Sequence, residues 1–175
     1  AIGTVLCWTI SVQFFEAATK RAGSTPVNII RIGLAVLFFA VFLLFRDGQP
    51  IPLDFPVRAW LLLSLSGVIG FFLGDIYLFK ALVELGPRVA MLIHSLAAPT
   101  AAIIGWLFLG EQYLFYQWLG IAVTLSGVGL VIIEKSGTRT LSGKRQPRQI
   151  TLVGIGYGLL AMVGQAVGMV LSKAG

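Results

Sequence analysis

Long apolar runs alternate with short polar or charged breaks along this chain. A helix that crosses a bilayer needs roughly 20 mostly apolar residues. Six runs approach that length, at about 2–19, 27–45, 59–79, 87–109, 114–133 and 150–172. Lys20 and Arg21 close the first, and Gly23-Ser24-Thr25-Pro26 reads as a turn. Arg46-Asp47-Gly48 opens a proline-rich loop, and Gly110-Glu111-Gln112 makes a short turn. The stretch 136–149 is the most polar and basic. Alternating ten-residue segments of a barrel are absent, so the pattern predicts an all-α polytopic membrane bundle of about six helices.

Small residues recur at four-residue spacing: Ser66, Gly70 and Gly74, then Ala97, Ala101 and Gly105, then Gly154-Gly158 and Gly164-Gly168. Such faces let helix backbones approach closely, so these spans are expected to pack on one another. The sixth span also echoes the first. Setting Ala22-Gly23 on Ala174-Gly175 aligns Arg21 with Lys173 and Gln13 with Gln165. Five spans separate the copies, and an odd number turns the second copy upside down, as in transporters built from inverted repeats. The expected organisation is one five-helix repeat over 1–135, a basic loop over 136–149, and the first helix of a second repeat over 150–175.

Composition agrees with lipid as the solvent. The chain is 57% hydrophobic and 11% charged, where a soluble domain is about a quarter charged. A net charge of +6 could signal nucleic acid, but the basic residues sit at the ends of apolar runs, so no nucleic-acid partner is expected. Lys20, Arg21, Lys80, Arg88, Lys135, Arg139, Lys144, Arg145 and Arg148 fall in odd-numbered loops, and only Arg46 and Arg58 in even ones. The basic-residue rule places the odd loops in the cytoplasm. Cys7 has no cysteine to pair with and reads as a small core residue. The first run lacks a basic leader and contains Glu16, unlike a secretory signal.

Polar groups inside the spans are the candidates for function, since a charge at the bilayer centre costs roughly 2.5–3.5 kcal/mol on insertion scales. Gln13, Glu16 and Lys20 share one face of the first span. They form either a polar stripe along a substrate path or an interfacial ion pair. Asp75 lies deep in the third run, either as a proton or substrate contact or as the structural partner of a cation such as Arg31. Arg31 itself is expected to snorkel to the interface. His94, near the middle of the fourth run, is a substrate or proton contact or a hydrogen bond between helices. Without a second ligand nearby it suggests no metal. Pro99 should kink that run by clashing with the Ser95 carbonyl, with the Ser95 and Thr100 hydroxyls satisfying freed backbone groups. Gly110 and Glu111 read as a structural turn at the membrane surface. No catalytic constellation and no cofactor motif appears, so an enzyme is not expected.

The stretch PRVAMLIHSLAAPTAAIIGWLFLGEQYLFYQWLGIAVTLSGVGLVI at 87–133, with Pro99, Gly110-Glu111, Gly120 and Gly127-Val128, resembles the end of an EamA repeat of the drug/metabolite transporter superfamily. Trp8, Lys20, Pro26 and Arg31 are similar to the family's first two spans. The resemblance implies ten helices in two inverted repeats around a central cavity. It implies secondary transport, often export, of small metabolites, amino acids or drugs from a plasma membrane such as the bacterial inner membrane. It also implies that spans one, three and four line the cavity in this half, which raises Gln13, Asp75 and His94. With Glu16 and Ser95 from the residue reading they are the substrate-site candidates, and the kink at Pro99 is either a gating hinge or simple packing geometry. The implied partners are a small-molecule substrate, the lipid bilayer and the second repeat of the chain, or a second copy in a homodimer. Two features depart from the family. The chain has half the usual length, and family members drawn with cytoplasmic termini would place the basic fifth loop outside. The alternative function is a membrane-embedded binding or scaffold protein without transport.

Overall fold

A computed structural model describes residues 2–48, 56–137 and 151–175. The order is α1 (Ile2–Ala22), α2 (Ser24–Asp47), α3 (Val57–Ser66), a π-helical stretch (Gly67–Gly74), α4 (Asp75–Leu85), α5 (Pro87–Ser95), α6 (Ala97–Leu109), α7 (Phe115–Gly137) and α8 (Leu152–Ala174). No strand occurs among the described residues. Five helices are long and apolar enough to cross a membrane, and α7 adds a shorter apolar stretch over Phe115–Leu130. The protein is an integral, multi-pass bundle. Arg139, Lys144, Arg145 and Arg148 of the expected basic loop lie outside the described residues.

The third span is longer than the sequence pattern suggests. It runs over Val57–Leu85, 29 residues, and Lys80 lies within α4 rather than in a loop. The charge interrupts the apolar run in sequence but not the helix, because a long lysine stem packs along apolar surface. The turn that follows shrinks to Gly86, whose φ of +81° suits glycine. Pro87 then opens α5, where its missing N–H costs nothing. The turn expected over 23–26 likewise contracts to Gly23, at φ +88°.

The fourth span breaks where Pro99 predicts. Helix α5 ends at Ser95, Leu96 N–H donates to the Ile93 carbonyl at 3.1 Å, and Thr100 N–H resumes helical bonding to Leu96 at 3.0 Å. The hydroxyls act differently from expectation. Ser95 donates to the Leu92 carbonyl at 2.7 Å, and Thr100 faces the Met162 sulfur at 3.1 Å, so it ties α6 to α8.

The core centres on α4. Leu78, Phe79, Ala81 and Leu82 pack against Val12 of α1, Ala90 of α5 and Ala161 of α8. Helix α8 lies against α3, the π-helical stretch, α4, α5 and α6. Its small residues make that possible. A Cβ on Gly168 would stand 2.9 Å from the Gly70 Cα, one on Gly164 3.2 Å from the Gly74 Cα, and one on Gly158 3.1 Å from Ile93. The Ser66 hydroxyl closes the seam, donating to the Gly168 carbonyl at 2.7 Å. In contrast, α1 buries only Val12 and Thr19. Cys7 is exposed rather than in the core, because no described element covers its face of α1.

Candidate functional site

The most deeply placed charge is Asp75, 4% exposed at the start of α4. By 1.5 Å per residue it lies about 15 Å from the Gly86 end of its helix. Arg31 of α2 donates to its carboxylate in a close ion pair. Arg31 therefore turns inward instead of snorkelling. Its guanidinium also sits 5.7 Å from the Phe15 ring centre and 5.5 Å from that of Phe79. Such contacts offset part of the cost of removing a cation from water. The aspartate's apolar surroundings are tolerable only with this partner, since an unpaired charge in lipid is expensive.

One turn earlier on α2, Asn28 is wholly buried. Its Nδ2 donates to the carbonyls of Phe71 and Phe72, at 3.1 and 2.9 Å. These carbonyls belong to the π-helical stretch. Wider turns misalign backbone groups, and such stretches occur often at functional sites. The amide supplies donors that the irregular ladder leaves short. Sequence reading overlooks Asn28. Its only signal is that it is an amide within an apolar run, one turn from Arg31.

The other candidates are scattered. Gln13 is exposed on α1. Glu16 is mostly covered and accepts from Lys20 at 2.5 Å, four residues on. His94 is half-buried, and its Nδ1 is buried without a partner among the described residues. Ser95 is exposed and bonded within its own helix. Pro99 is buried against the bundle. Among the described residues, no hydrogen bond or ion pair joins Gln13, Asp75 and His94 to one another.

Glu111 does more than turn the chain. Its carboxylate folds back over Gly105, where an added Cβ would come within 3.1 Å of it. There it accepts from the Tyr113 hydroxyl and from Lys173 at the far end of α8. Lys173 and Tyr113 hold the Glu111 carboxyl below its ordinary range, and the same bond pushes the Tyr113 hydroxyl up. The link joins the α6–α7 turn to α8.

Cavities lie near these groups, one of about 140 Å³ beside Glu111, Tyr113 and Lys173. A groove of about 950 Å³ opens between α1, α2 and the third span, walled by Trp8, Phe15, Phe39, Phe71 and Phe72, with Arg31 in its lining. A smaller one of about 300 Å³ lies between the third span and α8, with Ser66, Gln165 and Ser172 on its wall.

Known proteins place this bundle. The sequence profile of the EamA-like transporter family matches residues 1–133. An uncharacterized transporter in the cobO 3′ region of a Sinorhizobium species is 31% identical over 128 residues, covering 71% of this chain and 87% of that protein. A probable transport protein of Saccharomyces cerevisiae is 26% identical over 163 residues, covering 83% of this chain and 45% of its own length. The chain thus spans less than half of the yeast protein. No solved structure matches.

Proposed function

Because this chain belongs to the EamA-like transporter family, we propose that it supplies one half of a secondary carrier for small metabolites, amino acids or drugs. The carrier works by alternating access, and α8 is the first helix of its inverted second half. The observation that carries this reading is the seam between α8 and the third span. Glycine backbones meet there at Gly70–Gly168 and Gly74–Gly164, joined by the Ser66 hydroxyl on the Gly168 carbonyl, beside a broken fourth span and a buried ion pair. Glycine seams permit close approach, and helix breaks at membrane depth line binding sites in carriers.

Within this reading, substrate or a proton reaches Asp75 by displacing Arg31 from it. Coupling of export to a proton gradient runs through that exchange. His94 and Pro99 stand at the break in the fourth span, where the path opens, and Gln13, exposed on α1, and Glu16, paired with Lys20, line its outer part. The test is transport by the full-length protein in proteoliposomes, with radiolabelled amino acids as probes and an imposed pH gradient. Asp75→Asn should abolish the dependence of uptake on the gradient. Unchanged uptake with unchanged pH dependence would remove Asp75 from the site. Single cysteines along 90–102, introduced with Cys7→Ser, should react in part with a membrane-impermeant maleimide. No reaction from either side would exclude a carrier.

A further inference from the structure

Lys80 is a half-buried charge of this bundle that the foregoing leaves unused. It sits five residues before the end of α4, about 7.5 Å along the helix. Its Nζ lies 5.4 Å from the ring centre of Tyr77, on its own helix, and 5.4 Å from that of Tyr157 on α8. The two rings stack at 6.1 Å. The ammonium is therefore held at the junction of the third span and α8. A lysine so near a helix end would ordinarily extend along its own helix into the headgroup layer.

No carboxylate pairs with it among the described residues. Glu84, one turn further along α4, instead accepts from the Thr151 hydroxyl at 3.5 Å. That hydroxyl in turn caps α8 by accepting from Gly154 N–H at 3.1 Å. Arg31 shows the contrast: it too lies against two aromatic rings, but Asp75 neutralises it. Ring contacts offset only part of what a cation loses on leaving water, so the ammonium gains from a counter-charge brought to it. A seated cation without a counter-charge is a site for an anion.

We propose that Lys80, held between Tyr77 and Tyr157, receives the anionic group of a ligand, a carboxylate or a phosphate, where the first repeat meets α8. This deepens the carrier reading and rests on it for the ligand's role as cargo. An anionic headgroup of a lipid offers the same chemistry.

The test is thermal unfolding of the full-length protein in phosphatidylcholine nanodiscs, with citrate or inorganic phosphate against chloride at matched ionic strength. Ligand at ten times its dissociation constant should raise the midpoint by about 4 °C. Lys80→Arg should keep the shift, and Lys80→Met should lose it. Lys80→Gln serves if Lys80→Met does not fold. Arg88→Gln, an exposed cation near the same end, should leave it intact. Nanodiscs containing phosphatidylglycerol separate the sources: a Lys80-dependent shift there, without soluble anion, assigns the site to a headgroup. A shift that survives loss of Lys80, or none with any of these anions, overturns the proposal. Proteoliposome uptake tests the carrier reading separately, since Lys80-dependent binding with no transport would sink only that reading.

Discussion

Helices α8 and α2 both pack against the third span, with different emphasis: close backbone approach dominates at α8, where the Ser66 hydroxyl adds one hydrogen bond, and side-chain bonds dominate at α2. Helix α8 is fitted by shape: Gly164 and Gly168 lie against Gly74 and Gly70, where a methyl group on Gly168 would collide with the Gly70 Cα at 2.9 Å and one on Gly164 would press on Gly74 at 3.2 Å. Helix α2 is fastened by chemistry. Arg31 reaches Asp75, and Asn28 reaches the carbonyls of Phe71 and Phe72, while a groove of about 950 Å³ remains open beside them. In lipid no hydrophobic force presses helices together, so close contact and polar bonds are the two available adhesives. The shape-fitted seam tolerates no added volume, and the polar attachment tolerates no lost partner.

Four perturbations sharpen this contrast. The largest effect is expected from Arg31→Gln, which leaves Asp75 buried without its cation and should cost about 3–5 kcal/mol. Adding Asp75→Asn should recover part of that loss in the same unfolding measurement. Gly168→Val drives a side chain into Gly70 and should cost about 1–3 kcal/mol. Gly33→Val on α2, with nothing near its Cβ position, should stay within about 0.5 kcal/mol. Equal effects at the two glycines would dissolve the distinction. Asn28→Ala removes two bonds whose mean worth in a membrane protein is about 0.6 kcal/mol each, so about 1 kcal/mol is expected.

The smallest effect concerns the Glu111 link at the end of α8. Its carboxyl titrates lower in the folded chain, chiefly through Lys173. The stabilisation is therefore present above the unfolded pKa and lost as pH falls through the folded one. Acid should lower the unfolding midpoint of the wild type more than that of Glu111→Gln. The Tyr113 hydroxyl, shifted up by the same contact, loses its contribution as pH rises through its folded pKa.

Much of the bundle is legible in the sequence, because membrane helices announce themselves by long apolar runs. The small-residue faces are legible too, and Gly70, Gly74, Gly164 and Gly168 all lie on the seam. Which face meets which is not, since spacing alone carries no partner. Asp75 and Arg31 each stand out as an intramembrane charge, and the sequence alone leaves their pairing open beside a substrate or proton role for Asp75. Lys80 is misplaced because a charge near the end of an apolar run looks like its boundary. Asn28 and the π-helical stretch escape notice for another reason. Widened turns depend on which carbonyls find donors from a neighbouring helix, and that is a tertiary fact.

The widened turns also make the third span a matter of counting. Removing one residue between Gly67 and Gly74 would let the stretch tighten toward ordinary helix, and the faster winding of ordinary turns would offset most of the rotation lost with that residue. The same deletion within the regular turns between Asp75 and Lys80 has no such slack: Lys80 would swing about 100° away from Tyr157, although every amino acid that makes its contacts would still be in the chain.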